Sequence, residues 1–265
     1  MKKTLLILTA VAGIALGCHA QDKIGDIVKA GDQYFIYLTE LASPEANMQF
    51  QKNLAIVKEQ NAQIKQLQDE LKAQTNPDSK AYGTAVLQKL ERKYKENEKL
   101  MGKAYGFAPN RTYRQLYYKL NLCIILTKDE IAQLKMQDGT TIDPQKISNL
   151  TQFAMYRAKE VSGPKENEQL QIKMGQYFQK QAAVEKARKA LSAAKDPIEQ
   201  KKLNDQIVAG EKQVKEIDAQ IRKEYGLPEG RSYAVEVSNS RLYMLLTPQE
   251  VEQLKASAAK NAQKK

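Results

Sequence analysis

The 265-residue sequence predicts a mainly α fold built from one unit that occurs twice in tandem. Two observations predict it. The segment YGFAPNRTY at 105–113 recurs as YGLPEGRSY at 225–233, and long stretches with apolar residues at helical spacing precede both segments. Each unit is expected to hold a short helix, a long antiparallel coiled-coil hairpin, a β-hairpin and a capped C-terminal helix. This arrangement gives an α+β base with two helical arms.

A shift of 120 positions relates the two units without a gap. Identical residues then occupy equivalent positions, and those of the first copy include Lys103, Tyr105, Gly106, Arg111, Tyr113, Leu122, Leu126, Thr127, Glu130, Gln133, Leu134 and Lys135. Chance does not preserve one register over so long a stretch. We therefore predict a first repeat at 21–146, with its arm at 46–104 and its base at 105–138, and a second repeat at 147–265, with its arm at 166–224, its base at 225–258 and a basic tail at 259–265.

The first 20 residues have the pattern of a secretory signal peptide, with Lys2 and Lys3 before an apolar run. That run is shorter than the roughly 20 residues that cross a bilayer. Cleavage after Ala20 would remove residues 1–20. The alternative is cleavage at a loose lipobox, Ala15-Leu16-Gly17-Cys18, which would leave Cys18 as a lipidated N-terminus. We expect an exported protein of the periplasm or cell envelope, attached to the membrane only if Cys18 is lipidated.

Removal of the leader restricts the available chemistry. His19 is the only histidine, so a chain cleaved after Ala20 has no imidazole for acid–base catalysis or metal binding. Cys123 would be the only remaining cysteine, which excludes an intrachain disulfide and a zinc site built on cysteines. The apolar run LNLCIIL around Cys123 indicates a buried packing residue. We predict no catalytic residues, no metal site and no cofactor.

The net charge of the full sequence is +11, and loss of Lys2 and Lys3 with the leader lowers it to +9. A basic protein is attracted to anionic surfaces, peptides or polymers. The charge is spread along both repeats rather than gathered with aromatic residues into one patch, so a specific nucleic-acid partner is not expected. The basic tail fits a frayed, solubilising end.

A short helix is expected before each arm, up to residues 43 and 163, and the second of these opens at Asp143-Pro144. In the arms, apolar residues recur at alternating spacings of four and three, as in a heptad seam. Asn76-Pro77 and Asp196-Pro197 are expected to cap the returning helices. Polar residues at seam positions 61, 68, 181 and 188 either fix the register of the helices or face water.

The base follows each arm. Gly106 and Gly226 stand where a left-handed residue ends a helix. Alternation from Tyr233 onward and the turn-like Ser238-Asn239-Ser240 predict a β-hairpin, which the shared register extends to 112–126. Thr127 with Glu130, and Thr247 with Glu250, then predict capping boxes at two closing helices.

The candidate binding residues are Arg111 with Tyr113, and Arg231 with Tyr233, at the bases of the two arms. Arginine can bind a carboxylate or phosphate through its forked guanidinium, and tyrosine offers a face for stacking. The alternative is structural, with arginine bound to carbonyls at a helix end and tyrosine packed in the base. Glu40 and its equivalent Glu160 are expected on solvated helix faces.

The predicted layout resembles the periplasmic holdase chaperones of the Skp/OmpH type. The features that carry the resemblance are the long helical hairpins on a β-containing base and the closing segment LTPQEVEQLK. In that family a strand precedes each helical hairpin, whereas a helix is predicted here, and the units here share one chain. The resemblance implies a clamp for unfolded outer-membrane proteins.

Three hypotheses follow for function. The first is a non-enzymatic envelope protein whose arms bind a protein or an anionic envelope polymer. The second is a holdase chaperone. The third, a cell-wall enzyme that uses Glu40 or Glu160, is disfavoured because the sequence has no nucleophile motif and no Gly-rich phosphate loop. The arms can pair within one chain or between chains, so the oligomeric state stays open.

Overall fold

The computed structural model describes residues 23–108, 110–151 and 153–262. The predicted signal peptide, Cys18 and the last three residues of the basic tail lie outside this part of the chain. Six α-helices and a six-stranded antiparallel sheet form within it, with 58% helix and 23% strand. The predicted fold class, a mainly α protein of coiled-coil hairpins, is therefore wrong, because the extended sheet makes this an α+β protein.

The elements occur in the same order twice along the chain. The strands are β1 (Ile27–Ala30), β2 (Gln33–Leu41), β3 (Tyr113–Ile125), β4 (Ile147–Ser148), β5 (Met155–Ser162) and β6 (Tyr233–Leu246). The helices are α1 (Pro44–Ala73), α2 (Pro77–Tyr105), α3 (Lys128–Gln133), α4 (Pro164–Ala193), α5 (Pro197–Tyr225) and α6 (Pro248–Ala262), with a 3-10 turn at Pro144–Lys146.

Strands occupy the two segments where short helices are predicted. In β2, Phe35 and Tyr37 are buried while their neighbours are less so, which is the period-two pattern of a strand. Aromatic and β-branched residues dominate this segment and favour extended backbone. The predicted helix opening at Asp143 is only a 3-10 turn, in which the Asp143 carboxylate accepts a hydrogen bond from the Gln145 amide at 3.0 Å.

The predicted β-hairpins are also wrong, because β3 and β6 are single strands of 13 and 14 residues. The segment that suggested a turn, 238–240, lies inside β6. Ser240 there is fully buried, donates to Oδ1 of Asn47 at 2.5 Å and accepts from Nε2 of Gln115 at 2.8 Å. Its hydroxyl satisfies a buried amide and does not form a turn.

The strand order in the sheet is β1-β2-β6-β3-β5-β4. β2 pairs antiparallel with β6, and β3 pairs antiparallel with β5. Each ladder has one irregularity, at which Leu38 in β2 and Ala158 in β5 are skipped. These two residues are 120 positions apart, so the repeats share the irregularity as well as the pairing.

The chain divides into two compact units, and the boundaries fall inside β3 and β6. We call the unit with residues 23–116 and 237–262 unit A, and the unit with residues 117–236 unit B. In unit A, Leu41 and Leu242 of the sheet pack with Phe50, Val57 and Met101 of α1 and α2. A core of unit B joins the end of β3 to the segment after α3, with Ile124, Leu126, Met136 and Ile142.

The helix boundaries follow the predicted local signals. The Asn76 side chain accepts from the amides of Asp78 and Ser79, and the Asp196 side chain accepts from the amide of Ile198. Gly106 and Gly226 end α2 and α5 at φ of 68° and 67°, in the left-handed region where glycine lacks the penalty of a side chain. The predicted caps and glycine ends are confirmed.

Within each unit the two long helices run antiparallel and approach closely. A Cβ on Gly210 of α5 would lie 2.5 Å from a methyl carbon of Val184, so a larger residue there would force the Val184 side chain or the helices to shift. Two of the polar seam positions bridge the helices. Gln68 donates to Glu91 at 3.2 Å in the first helix pair (α1 and α2), and Arg188 donates to Glu211 at 2.5 Å in the second helix pair (α4 and α5).

Candidate functional site

Arg231, a predicted binding residue, binds a carboxylate of the chain itself in unit B. Its NH1 donates to Oε1 of Glu130 at 2.5 Å and its NH2 donates to Oε2 at 2.9 Å. The same NH2 donates to the carbonyl oxygen of Ile125 at 3.0 Å. The guanidinium fork therefore grips the carboxylate with two parallel hydrogen bonds, which is its strongest geometry. We call Arg231, Glu130, Thr127 and Ile125 the Glu130 clasp.

Arg111 makes the equivalent contacts in unit A. Its NH1 and NH2 donate to Glu250 at 2.6 and 2.8 Å, and NH2 also donates to the carbonyl oxygen of Leu245 at 2.7 Å. We call Arg111, Glu250, Thr247 and Leu245 the Glu250 clasp. Every member of one clasp is offset by 120 positions from a member of the other. In both, the arginine and the glutamate come from different sequence repeats.

Each glutamate of a clasp also caps a helix. Oε2 of Glu130 accepts from the Thr127 amide at 2.9 Å, while the Glu130 amide donates to the Thr127 hydroxyl at 3.3 Å. Glu250 and Thr247 repeat this exchange at 2.8 and 3.3 Å. The predicted capping boxes are confirmed. The carboxylate thus joins a helix N-terminus to a loop from the other repeat.

The clasps differ in burial. The side chains of Arg231 and Glu130 are 14% and 4% exposed, whereas those of Arg111 and Glu250 are 24% and 32% exposed. Hydrogen bonds from Arg231 lower the pKa of Glu130 to about 2, and hydrogen bonds from Arg111 lower the pKa of Glu250 to about 2. Both carboxylates are therefore ionised in the folded protein near neutral pH.

The two predicted tyrosines also make contacts within the chain. Tyr113 stacks on Phe107 with ring centroids 4.8 Å apart, and its hydroxyl donates to the carbonyl oxygen of Ala108 at 2.8 Å. The hydroxyl of Tyr233 donates to Asp218 at 3.0 Å, and the guanidinium of Arg222 lies 4.9 Å from its ring centroid. Binding of an external partner by the four residues stays a prediction.

Unit B holds a buried ionic cluster that the sequence analysis does not identify. The Glu236 carboxylate accepts from Nε of Arg157 at 2.6 Å, from the Ser148 hydroxyl at 2.5 Å and from Nδ2 of Asn121 at 3.1 Å. Burial alone would raise the pKa of Glu236, but these hydrogen bonds hold it below its ordinary value. The equivalent positions of the other repeat are Leu116, Tyr37, Val28 and Arg241. A search for features shared by both repeats therefore misses this cluster.

A buried asparagine is common to both units, but its surroundings differ. Oδ1 of Asn47 in unit A accepts from Ser240 and from Gln115 at 2.5 and 3.1 Å. Asn167 in unit B is fully buried, and its Oδ1 has no hydrogen-bond partner among the described residues. The positions equivalent to Ser240 and Gln115 are Leu120 and Val235, which offer no donor.

Three further residues of the sequence analysis have defined places. Cys123 is buried in β3, and burial raises the pKa of its thiol to about 12, so the predicted packing role is confirmed. Glu40 and Glu160 lie on strands β2 and β5 rather than on helices. Glu40 accepts from Asn239 at 2.6 Å, and Glu160 is 3.2 Å from the Lys119 ammonium.

The first helix pair contains a cavity of about 260 Å³, lined by Asn61, Ile64, Glu91, Tyr94, Lys95 and Glu98. Among the described residues, no group of three or more His, Cys, Asp or Glu side chains is placed to hold a metal ion. In the same part of the chain, no helix has both the length and the apolar character required to cross a bilayer.

Comparison with known proteins found no matching family model, no similar curated protein and no similar solved structure.

The difference in burial predicts unequal contributions of the clasps to stability. Arg231→Met leaves Glu130 buried without its cation, and we expect the free energy of unfolding to fall by about 3 kcal/mol. The matched change Arg111→Met exposes a better solvated glutamate and should cost clearly less. Urea unfolding followed by circular dichroism measures both losses. Equal losses would contradict the assignment of the stronger clasp to unit B.

The low pKa values of the clasp glutamates predict acid destabilisation. The folded pKa of about 2 lies below the ordinary glutamate value of about 4.3, so the unfolded chain takes up protons first as pH falls. The stabilisation is complete above about pH 5 and is lost progressively towards pH 2. In Arg231→Met, the melting temperature should depend less on pH between 5 and 3. The control Lys128→Met removes an exposed cation and should keep the wild-type slope.

Proposed function

We propose that this protein is an exported, non-enzymatic component of the cell envelope that binds a protein or an anionic polymer through the outer faces of its long helices. The arginines and glutamates at the base are engaged with each other in the clasps, whereas the long helices present side chains to solvent. Each of the four long helices has 29 or 30 residues and extends for about 45 Å.

The observation that carries the proposal is an exposed stripe on α2. Ala85, Val86, Lys89 and Lys93 lie three, four, seven and eleven residues after Tyr82, so all five share one helix face. All five are exposed, and Tyr82 is 76% exposed. We call these residues the Tyr82 surface. It combines an apolar end with a basic end.

This combination defines the chemistry of the partner. Removal of the tyrosine and valine side chains from water is favourable, and tyrosine is enriched at protein interfaces. The two lysines attract negative charge, in keeping with the net charge of +11 for the full sequence and +9 without Lys2 and Lys3. A partner with an apolar patch beside acidic groups therefore fits the Tyr82 surface.

The double variant Tyr82→Ser with Val86→Ser tests the proposal. Both positions are exposed, so the fold should be unchanged, while retention of the partner should fall at least tenfold. The measurement is retention of envelope components on the immobilised protein, quantified by mass spectrometry at low and high salt. The electrostatic part of the binding should weaken as salt rises.

The repeat supplies a matched control. Lys202 and Gln206 are the residues equivalent to Tyr82 and Val86, and both are exposed. Lys202→Ser with Gln206→Ser should leave retention through the Tyr82 surface unchanged. If the wild type and both double variants retain the same components to the same extent, the Tyr82 surface is not the binding site and the proposal fails.

A holdase chaperone of the Skp/OmpH type is the second candidate. Strands β2 and β5 directly precede the long helices, at the positions where the sequence predicts helices. One of the differences from that family is thereby removed, which favours this candidate. The other difference remains, because the two repeats here belong to one chain.

The holdase candidate predicts that the purified protein keeps a urea-denatured outer-membrane β-barrel protein soluble after dilution. Light scattering should fall to the level of a sample without client at about one chaperone per client. The effect should weaken as salt rises, because basic helices attract acidic clients through charge. Unchanged aggregation at every ratio would exclude the holdase.

A further inference from the structure

In each unit, a long strand ladder joins residues of the two sequence repeats. The ladder of β2 with β6 joins residues 34–41 of the first repeat to residues 240–246 of the second. The ladder of β3 with β5 joins residues 119–125 to residues 155–162 in the same way. The ladders of β1 with β2 and of β4 with β5, which are short, each lie within one repeat.

Each clasp also joins the two repeats, and the repeat that supplies the arginine differs between the two clasps. Arg111 of the first repeat binds Glu250 of the second, and Arg231 of the second binds Glu130 of the first. When residue i contacts residue j and the equivalent j contacts the equivalent i, the interface is isologous, as in a symmetric dimer of identical chains.

A repeat without its counterpart would leave these groups unsatisfied. β3 is hydrogen-bonded to β5 and β6, and both of those strands belong to the second repeat. The amides of Ile125 and Leu245 also donate across the repeats, to the carbonyl oxygens of Ser232 and Thr112 at 3.0 and 2.9 Å. Unpaired backbone in a buried strand is costly, so a single repeat requires a partner that supplies the same elements.

We propose that each repeat is a self-complementary docking module whose partner is a second copy of the repeat, and that the intact chain is a covalently joined dimer of such modules. The inference is independent of the proposed function. It assigns an interface between the repeats within each unit: the edge of β2 with the Glu250 clasp in unit A, and the edge of β5 with the Glu130 clasp in unit B. The peptide connection between the repeats then serves to raise the effective concentration of the two modules.

A turn near the end of the first repeat allows a direct test. Residues 137–141 are exposed and form a turn, in which the Met136 amide donates to the carbonyl oxygen of Thr140 at 2.8 Å. Met136 and Ile142 on either side are buried in the core of unit B. A cut at this turn leaves each end anchored by an apolar side chain.

The experiment inserts a protease recognition sequence between Asp138 and Gly139 of the full chain and cleaves the folded protein. The two fragments should elute together at the mass of the intact chain and separate only in denaturant. After denaturation and refolding with an excess of affinity-tagged C-terminal fragment, the tagged fragment should capture untagged N-terminal fragment at a ratio of one to one. Fragments that separate in native buffer, or that fail to pair again on refolding, would overturn the proposal.

Variants of the clasps distinguish a specific interface from simple adhesion of cut fragments. Arg231 and Glu130 lie on different fragments, so Arg231→Met should raise the dissociation constant of the cleaved protein about 100-fold, as expected when a buried charge pair is broken. Arg111→Met should raise it by a smaller factor, and the exposed control Lys128→Met should leave it unchanged. Equal dissociation constants for all three variants and the wild type would contradict an interface that includes the clasps.

Discussion

The structure depends on a carboxylate that serves two partners at once. Glu130 accepts the amide and hydroxyl of Thr127 at the start of α3 and also receives the fork of Arg231. Only an arginine can satisfy both carboxylate oxygens and still reach a strand carbonyl with the same planar group, because a lysine ammonium is a single point of charge. The loop that carries Arg231, at 225–233, has nearly the same sequence as the loop at 105–113, where Arg111 binds Glu250 in the same way.

Around this shared contact, the repeats have diverged in their buried polar groups. Glu236 and Arg157 form an ion pair at positions that the other repeat fills with Leu116 and Tyr37. A buried ion pair is often no more stabilising than a well-packed apolar pair, so both solutions are compatible with one fold. Asn167 is buried where Leu120 and Val235 replace the donors that Asn47 has, and among the described residues its Oδ1 is left without a partner, which costs free energy.

Local signals made much of the fold predictable, and distant contacts account for the errors. Helix caps and glycine ends depend on neighbours within four residues, so the sequence identifies Asn76 and Gly226 correctly. The role of Ser240 depends on Asn47, 193 positions away, and a local interpretation as a turn therefore fails. The strands before the long helices are stabilised by ladders to the other repeat, which residue patterns within one repeat do not reveal. The Arg231–Glu130 contact likewise joins residues 101 positions apart.

The clasps also bear on where an external partner can bind. A guanidinium that already holds a carboxylate in a bidentate contact can accept an outside anion only if the internal pair breaks, and for Arg231 that would leave Glu130 buried without a cation. The arginines at the base thus contribute to internal cohesion, and binding of an external partner by them stays a prediction. The Tyr82 surface differs from the clasps, because its residues are exposed and Tyr82 is largely in solvent. Interaction with a partner through the long helices therefore requires no rearrangement of the contacts that hold the repeats together.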